Sequence, residues 1–246
     1  MKTGAEAHQH TLRGARLLDR IDYRVVETPE DKDIIYLMRY RAYLHSGLIS
    51  PSESKRVTDR YDDAPNTTIV AVYVDGELCG SIRLHVLTAA SRMSYTAELF
   101  GDVLDSRLDR GEVFVDTARF VADPLIAPRF PELPYLTVRL PFMASEYFNA
   151  DTSLAMIRSD HMPFYRRVFL NKQIAEPRPF PGWHTMTVSL TACDFKVDRD
   201  VIATRFPIMR SSAFERRMLF ERPAKRAFAP SAVVTPFERP AIVPAA

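Results

Sequence analysis

The run Thr68-Ile-Val-Ala-Val-Tyr-Val74, then Asp75-Gly76, then Leu78-Cys-Gly-Ser-Ile-Arg-Leu-His-Val86 decides the reading of the fold. Two alternating, β-branched runs flank an Asp-Gly pair, which is the composition of a tight hairpin turn. Upstream, Tyr23–Glu27 reads as a strand and about Pro29 to Leu44 as a helix. Thr28 supplies a cap, Pro29 suits a first turn, and Glu30 meets the positive helix end. Ile34, Ile35, Leu37 and Met38 fall at helical spacing. Residues 45–65 lack a period, hold Gly47 and Pro51, and form a loop of functional length. Downstream come an irregular stretch at 88–111, a strand at Glu112–Val121, and a proline-broken segment at 122–134. A helix is expected at Leu136–Phe148, a short buried strand at Ser153–Ile157, an amphipathic helix at His161–Phe169 and a late strand at Thr185–Leu190. A hairpin followed by alternating strands and helices predicts an α/β chain, a mixed sheet with helices on both faces.

The 246 residues are 46% hydrophobic and 26% charged, the balance of an ordinary globular protein. We divide them into a lead-in at 1–20, one domain at 21–220, and a Pro/Ala-rich tail at 221–246 expected to be disordered. Thirty-three basic against 31 acidic residues leave a net charge of +2, which gives no case for nucleic-acid binding. Cys79 and Cys193, without a CxxC or a histidine pair, make no metal site. The N-terminus lacks the apolar run of a signal peptide, and no stretch nears 18 apolar residues. A cytoplasmic protein with no transmembrane segment is the expectation.

Five motifs follow one another in order. They are Met38-Arg39-Tyr40-Arg41-Ala42-Tyr43, Asp59-Arg60-Tyr61-Asp62, the hairpin ending Gly80-Ser-Ile-Arg83-Leu84, Val115-Asp116-Thr-Ala-Arg119-Phe120, and Phe164-Tyr165-Arg-Arg-Val-Phe169. Together they resemble the GNAT superfamily, and more narrowly its autoinducer-synthase-like group and the N-acyl amino acid synthase (FeeM-type) relatives, over about Tyr23 to Phe220. The resemblance implies a three-layer α-β-α acyltransferase fold with splayed central strands. It also implies N-acyl transfer from a thioester to an amine. Two departures stand out. Asp116 replaces the family's frequent glutamate, and no Gly-x-Gly pyrophosphate loop follows Phe120. Pro124, Pro128, Pro131 and Pro134 intervene and remove N–H donors. This favours acyl carrier protein over acyl-CoA as the donor.

Such a transfer needs a deprotonated amine, a polarised thioester carbonyl and aligned reactants. No covalent enzyme intermediate is required, and the six histidines show no spacing for a nucleophilic triad. Asp116 lies among apolar strand residues and must be paired or must titrate. It is either a base acting through water or half of a buried ion pair. Arg119, three residues on, shares its side only if a bulge breaks the alternation. Arg83 either orients the acceptor or is a strand-end cation. Asp59 and Asp62 either hold the amine or shape turns. Arg39 and Arg41 either bind a carboxylate or the donor's phosphopantetheine, or lie on the helix surface. Backbone amides beside Phe120 are candidates to polarise the carbonyl. Phe120 and Tyr165 are candidate chain contacts among aromatics (Phe100, Phe114, Phe142, Phe148) that suit any core. Arg129, Arg139, Arg166 and Arg167 form either a carrier-docking surface or a solvated face.

The reading is an N-acyltransferase that carries a long fatty acyl chain to an amino acid. It uses the acyl thioester as co-substrate with no tightly bound cofactor, and peripheral membrane contact stays open. The alternatives are an acyl-homoserine lactone synthase using S-adenosylmethionine and a non-catalytic acyl- or lipid-binding regulator. Trp183 is the sole tryptophan, so the early-loop tryptophan of the lactone synthases is missing.

Overall fold

The computed structural model describes residues 17–180 and 186–221. The first sixteen residues, Trp183, His184, Thr185 and the tail beyond Glu221 lie outside them. The elements are β1 (Ile21–Val25), α1 (Pro29–His45), β2 (Thr67–Val74), β3 (Glu77–Leu87), α2 (Tyr95–Leu99), α3 (Gly101–Asp109) and β4 (Phe114–Ala122). Then come α4 (Leu133–Tyr147), β5 (Thr152–Ile157), α5 (Met162–Phe169), β6 (Lys172–Gln173), β7 (Arg178–Pro179), β8 (Thr187–Asp194), α6 (Phe195–Arg205) and α7 (Ala213–Phe220). The strands order as β1-β2-β3-β4-β5-β8-β6, with β7 also on β8. All pairs are antiparallel except β4 with β5. A parallel pair needs a long crossover, and α4 provides it.

Alternation along the strands divides the apolar side chains between two cores. On one face, Val70, Val72, Ile82, Leu84 and Val115 pack with α4, α5 and α6. On the other, Leu87, Phe114 and Leu154 meet Phe100, Leu104 and Leu108, while Ile69 and Ala71 meet Ile35 and Met38 of α1. Both faces are covered, giving three layers with a mixed sheet between helices. Leu17, at the end of the lead-in, is buried in the first core.

The helix start at Thr28 stands as expected, its side chain accepting from Asp31 N at 3.1 Å. Two regions depart from the sequence reading. Within the irregular stretch read at 88–111, residues 95–99 and 101–109 are helical. Ser94 caps α2 by accepting from Ala97 N, and Leu104 and Leu108 anchor α3. A glycine at the joint and a five-residue first helix left too short a period to read. Beyond β8 lie α6 and α7, which the expected element order omits. Asp194 caps α6, and Ser212 with Glu215 forms a capping box on α7. Exposed Val197, Val201, Phe214 and Met218 blur the amphipathic pattern of both helices.

Gly80 sits where β3 approaches β4 closely. A Cβ there would lie 2.7 Å from the Val121 carbonyl oxygen, a main-chain atom that cannot swing away. Gly80→Ala is expected to push the two strands apart and cost about 1–3 kcal/mol in urea unfolding, as overpacked sites do. An unchanged midpoint would show that the approach is not tight in solution.

Candidate active site

Strands β4 and β5 pair only from Phe114↔Thr152 to Thr117↔Ala155. Past that point they diverge, and a cleft of about 460 Å³ opens between them. That size suits a small-molecule site. Its walls come from both faces of the sheet. Phe120, Met156, Ile157, Phe164 and Tyr165 make one apolar side; Leu48, Tyr95 and Phe180 add to it. The Tyr95 and Phe180 rings stack at 4.6 Å. Asp59, Arg83 and Arg119 put charge at one part of this lining, with Arg158 and His161 elsewhere on it.

The charged part depends on a bulge. Ser81 opposes Val121 and Arg83 opposes Ala118, so Arg119 and Phe120 together face Ile82. Arg119 takes a left-handed conformation with φ 50°. Val115 belongs to the α4 face, and strict alternation would send Arg119 there too. The bulge reverses the phase, so Phe120 and Ala122 pack on the α4 face. Arg119 turns instead to the face of Arg83 and reaches Asp59 Oδ2 at 2.6 Å.

Asp59 and Asp62 come from the long loop. Arg83 Nη1 donates to Asp59 Oδ1 at 2.6 Å and to Asp62 Oδ1 at 2.8 Å. Arg39 donates to Asp62 at 2.8 Å, and Thr58 Oγ1 and the Asp59 N–H complete that carboxylate's shell. The Asp59 carboxylate also accepts from Tyr61 N. Arg119 lies 5.7 Å from the Tyr43 ring centroid, a cation–π contact. Burial alone would raise the Asp59 carboxyl, but Arg83 and Arg119 outweigh it and hold it below the usual carboxylate range. Asp62 behaves likewise, through Arg39 and Arg83. Burial lowers Arg39. For Arg119, Tyr43 and Asp59 overcome the effect of burial and the value is raised. Within this cluster three guanidiniums face two carboxylates, so one positive charge is in excess.

Asp116 lies elsewhere. It is fully buried, accepts from Thr96 Oγ1 at 2.9 Å, and opposes His85 across the β3–β4 ladder. It does not line the cleft, although its chain neighbour Thr117 does. Of these two candidate residues on β4, Arg119 is in the cleft lining and Asp116 is not. Asp116 stands behind the wall.

The structure brings Asp59, Asp62, Arg39, Arg83 and Arg119 into one network, with Phe120 and Tyr165 on the cleft wall. Arg41 is not part of this network and is exposed on α1. Tyr43, four residues after Arg39 and so on the same helical face, lines the cleft in its place. That spacing was the readable signal, and it separates Arg39 and Tyr43 from Arg41. Arg139 lies neither on a docking surface nor on a solvated face. It is buried and donates to the Ile208 and Arg210 carbonyls and to Glu215. Arg129 pairs with Glu77. Phe100, Phe114 and Phe142 are core rather than lining. Arg158 and His161 carried no local signal. No cluster fit to hold a metal ion occurs among the described residues, and none of their helices is long and apolar enough to cross a membrane.

No curated protein sequence matches this chain. Among solved structures, FeeM, an N-acyl amino acid synthase from uncultured soil microbes, is similar with a TM-score of 0.61 at 14% identity, over 74% of this chain and 94% of that one. BjaI, a CoA-dependent acyl-homoserine lactone synthase solved with MTA, gives 0.55 at 16% identity, over 76% and 89%. TofI, solved with an inhibitor and MTA, gives 0.53 at 20% identity, over 71% and 91%. These likenesses speak for the fold. The family model described as N-acyl amino acid synthase FeeM matches residues 34–194. That span contains α1, the loop, the bulge and the cleft. The chain therefore belongs to the FeeM N-acyl amino acid synthase family and is an N-acyltransferase of the GNAT fold.

Proposed function

We propose that this N-acyltransferase moves a long fatty acyl chain from an acyl carrier protein to the amine of an amino acid. One observation carries the reading: a largely apolar cleft in the β4–β5 splay has a cationic cluster in its lining. The apolar walls accept the chain. The cluster's surplus positive charge, presented to the cleft by Arg119, suits the acceptor's carboxylate. Asp59, kept ionised, offers a counter-charge to the ammonium but is a poor base. Along β4 beyond Thr117, backbone groups on the β5 side have no strand partner. Their N–H groups would donate to the oxyanion that forms when the amine attacks the thioester carbonyl, and the end of β4–β5 pairing at Thr117 supports this.

The start of α4 bears on the donor. Leu133 N donates to Phe130 O, while Tyr135 N and Leu136 N both donate to Glu132 O. Pro134 has no N–H. The donors with which a helix start would grip a pyrophosphate are thus engaged or missing. A pantetheine arm on a carrier protein makes no demand on them. Arg166 and Arg167 are exposed on α5, next to Phe164 and Tyr165 of the cleft, and fit an acidic carrier.

The test supplies long-chain acyl carrier protein or the matching acyl-CoA, with an equal mixture of the protein amino acids, and identifies products by mass spectrometry. The expected product is a fatty acyl amino acid, formed faster from the carrier protein. Equal or better turnover of acyl-CoA overturns the donor assignment, and acyl lactones made with S-adenosylmethionine overturn the acceptor. In the same assay Arg119→Ala is expected to lower kcat/KM for the amino acid by about 10- to 100-fold. That corresponds to charge-assisted hydrogen bonds worth about 1.5–3 kcal/mol. A wild-type KM in this variant removes Arg119 from acceptor binding.

A further inference from the structure

His85 takes no part in the cluster described above, yet its setting is unusual. It stands on β3 directly opposite Asp116 on β4, on the same face of the sheet. Both side chains are fully buried. His85 Nδ1 lies 3.7 Å from Asp116 Oδ2, just beyond hydrogen-bond reach. Neither imidazole nitrogen and not this Oδ2 has a hydrogen-bond partner among the described residues. Asp116 Oδ1, by contrast, accepts from Thr96.

The surroundings narrow what the pair can do. From the long loop, the Tyr61 ring meets His85 edge-on at 6.2 Å, and its hydroxyl donates to Glu98 of α2, which also pairs with Arg60. Thr67 of β2 opposes His85 on the other side of the ladder. Arg83, two residues earlier on the same strand, is committed to Asp59 and Asp62. Among the described residues, the imidazole is the one basic group within ion-pair distance of Asp116. A buried carboxylate with one bare oxygen beside a buried imidazole with two bare nitrogens is costly. A single proton between them satisfies both, and a closure of about 1 Å brings Nδ1–H to Oδ2. The pair lies directly behind the cleft wall: Tyr95 and Thr117, chain neighbours of Thr96 and Asp116, line the cleft, while His85 and Asp116 do not.

We propose that His85 is a positioning residue that holds, with Asp116, the proton removed from the acceptor ammonium. The proposal rests on the amine-acylation reading. The ammonium N–H bond breaks, its electron pair stays on nitrogen as the nucleophile, and the proton passes through water to the imidazole facing Asp116. When the tetrahedral adduct collapses, the second amine proton goes to the departing thiolate. The proton held by the pair then returns to solvent, so the balance closes without a further reactant.

The experiment measures kcat of wild type, His85→Gln, Asp116→Asn and the double variant at neutral and at alkaline pH. Long-chain acyl carrier protein and the amino-acid mixture are the probes. Proton-transfer groups typically contribute 10²- to 10⁴-fold. Each single variant is expected to lose about 10²-fold at neutral pH, and the double variant no more, as groups that act as one unit do. At alkaline pH, where the amine is already free, the losses should shrink to a few-fold. A loss independent of pH, or multiplying in the double variant, makes His85 merely structural and overturns the proposal. Imidazole NMR of the wild-type protein needs neither a substrate nor a foldable variant. A slowly exchanging, strongly downfield His85 ring N–H is expected, and its absence overturns the shared proton. Wild-type inactivity on both donors would refute the acylation reading while leaving this spectrum to be judged on its own.

Discussion

Arg83 joins three parts of the chain that have little else in common. Its guanidinium leaves the middle of β3 and grips Asp59 and Asp62 at once, while Arg39 of α1 closes on Asp62 from the other side. The segment between α1 and β2 has no helix or strand. It is fixed by these ion pairs and by short local bonds, such as Asp62 N to Asp59 O at 3.0 Å. Desolvating each charge costs several kcal/mol, so such a cluster is weak evidence for stability. Its value lies in geometry. A loop that packing alone would leave mobile is held in register with the sheet, and Asp59 is delivered to the cleft already bonded to Arg119.

That arrangement decides the division of labour. Asp59 is held between guanidiniums, which keep its carboxyl below the usual carboxylate range and make it a fixed charge partner. Asp116 has no such partner: Thr96 donates to one oxygen, and the other has no hydrogen-bond partner among the described residues. The two acids stand on the same face of the sheet, separated by Arg83 and His85 along β3.

Much of this was legible in the sequence, because the deciding features are local. The hairpin at Asp75-Gly76, the Thr28 cap and the alternation of β2 and β3 follow from backbone chemistry alone. Arg39, Arg83 and Arg119 could be named from their motifs. Whether the chain bulges at Arg119 could not be read, since a bulge depends on how two strands settle against each other. The same holds for Asp116, whose distance from the cleft depends on the placement of α2, a helix too short to be seen. His85 escaped notice for a different reason. Spacing among the histidines says nothing of it, because its partner Asp116 lies across a ladder some thirty residues away in sequence. Arg41, two residues from Arg39 in sequence, is exposed while Arg39 is buried, because neighbours in sequence do not share a helix face.

The reversal of phase in β4 has a consequence for how such a protein can diverge. Before Ala118 the odd-numbered residues belong to the α4 core; after Arg119 the even-numbered ones do. A one-residue insertion or deletion between them would drive a guanidinium into packed hydrocarbon and a phenyl ring into the charged cluster. Lengthening or shortening this strand is therefore closed as a route to new substrates. Variation must come from the loop and from the walls contributed by α5 and β5, where side chains can change without disturbing the frame.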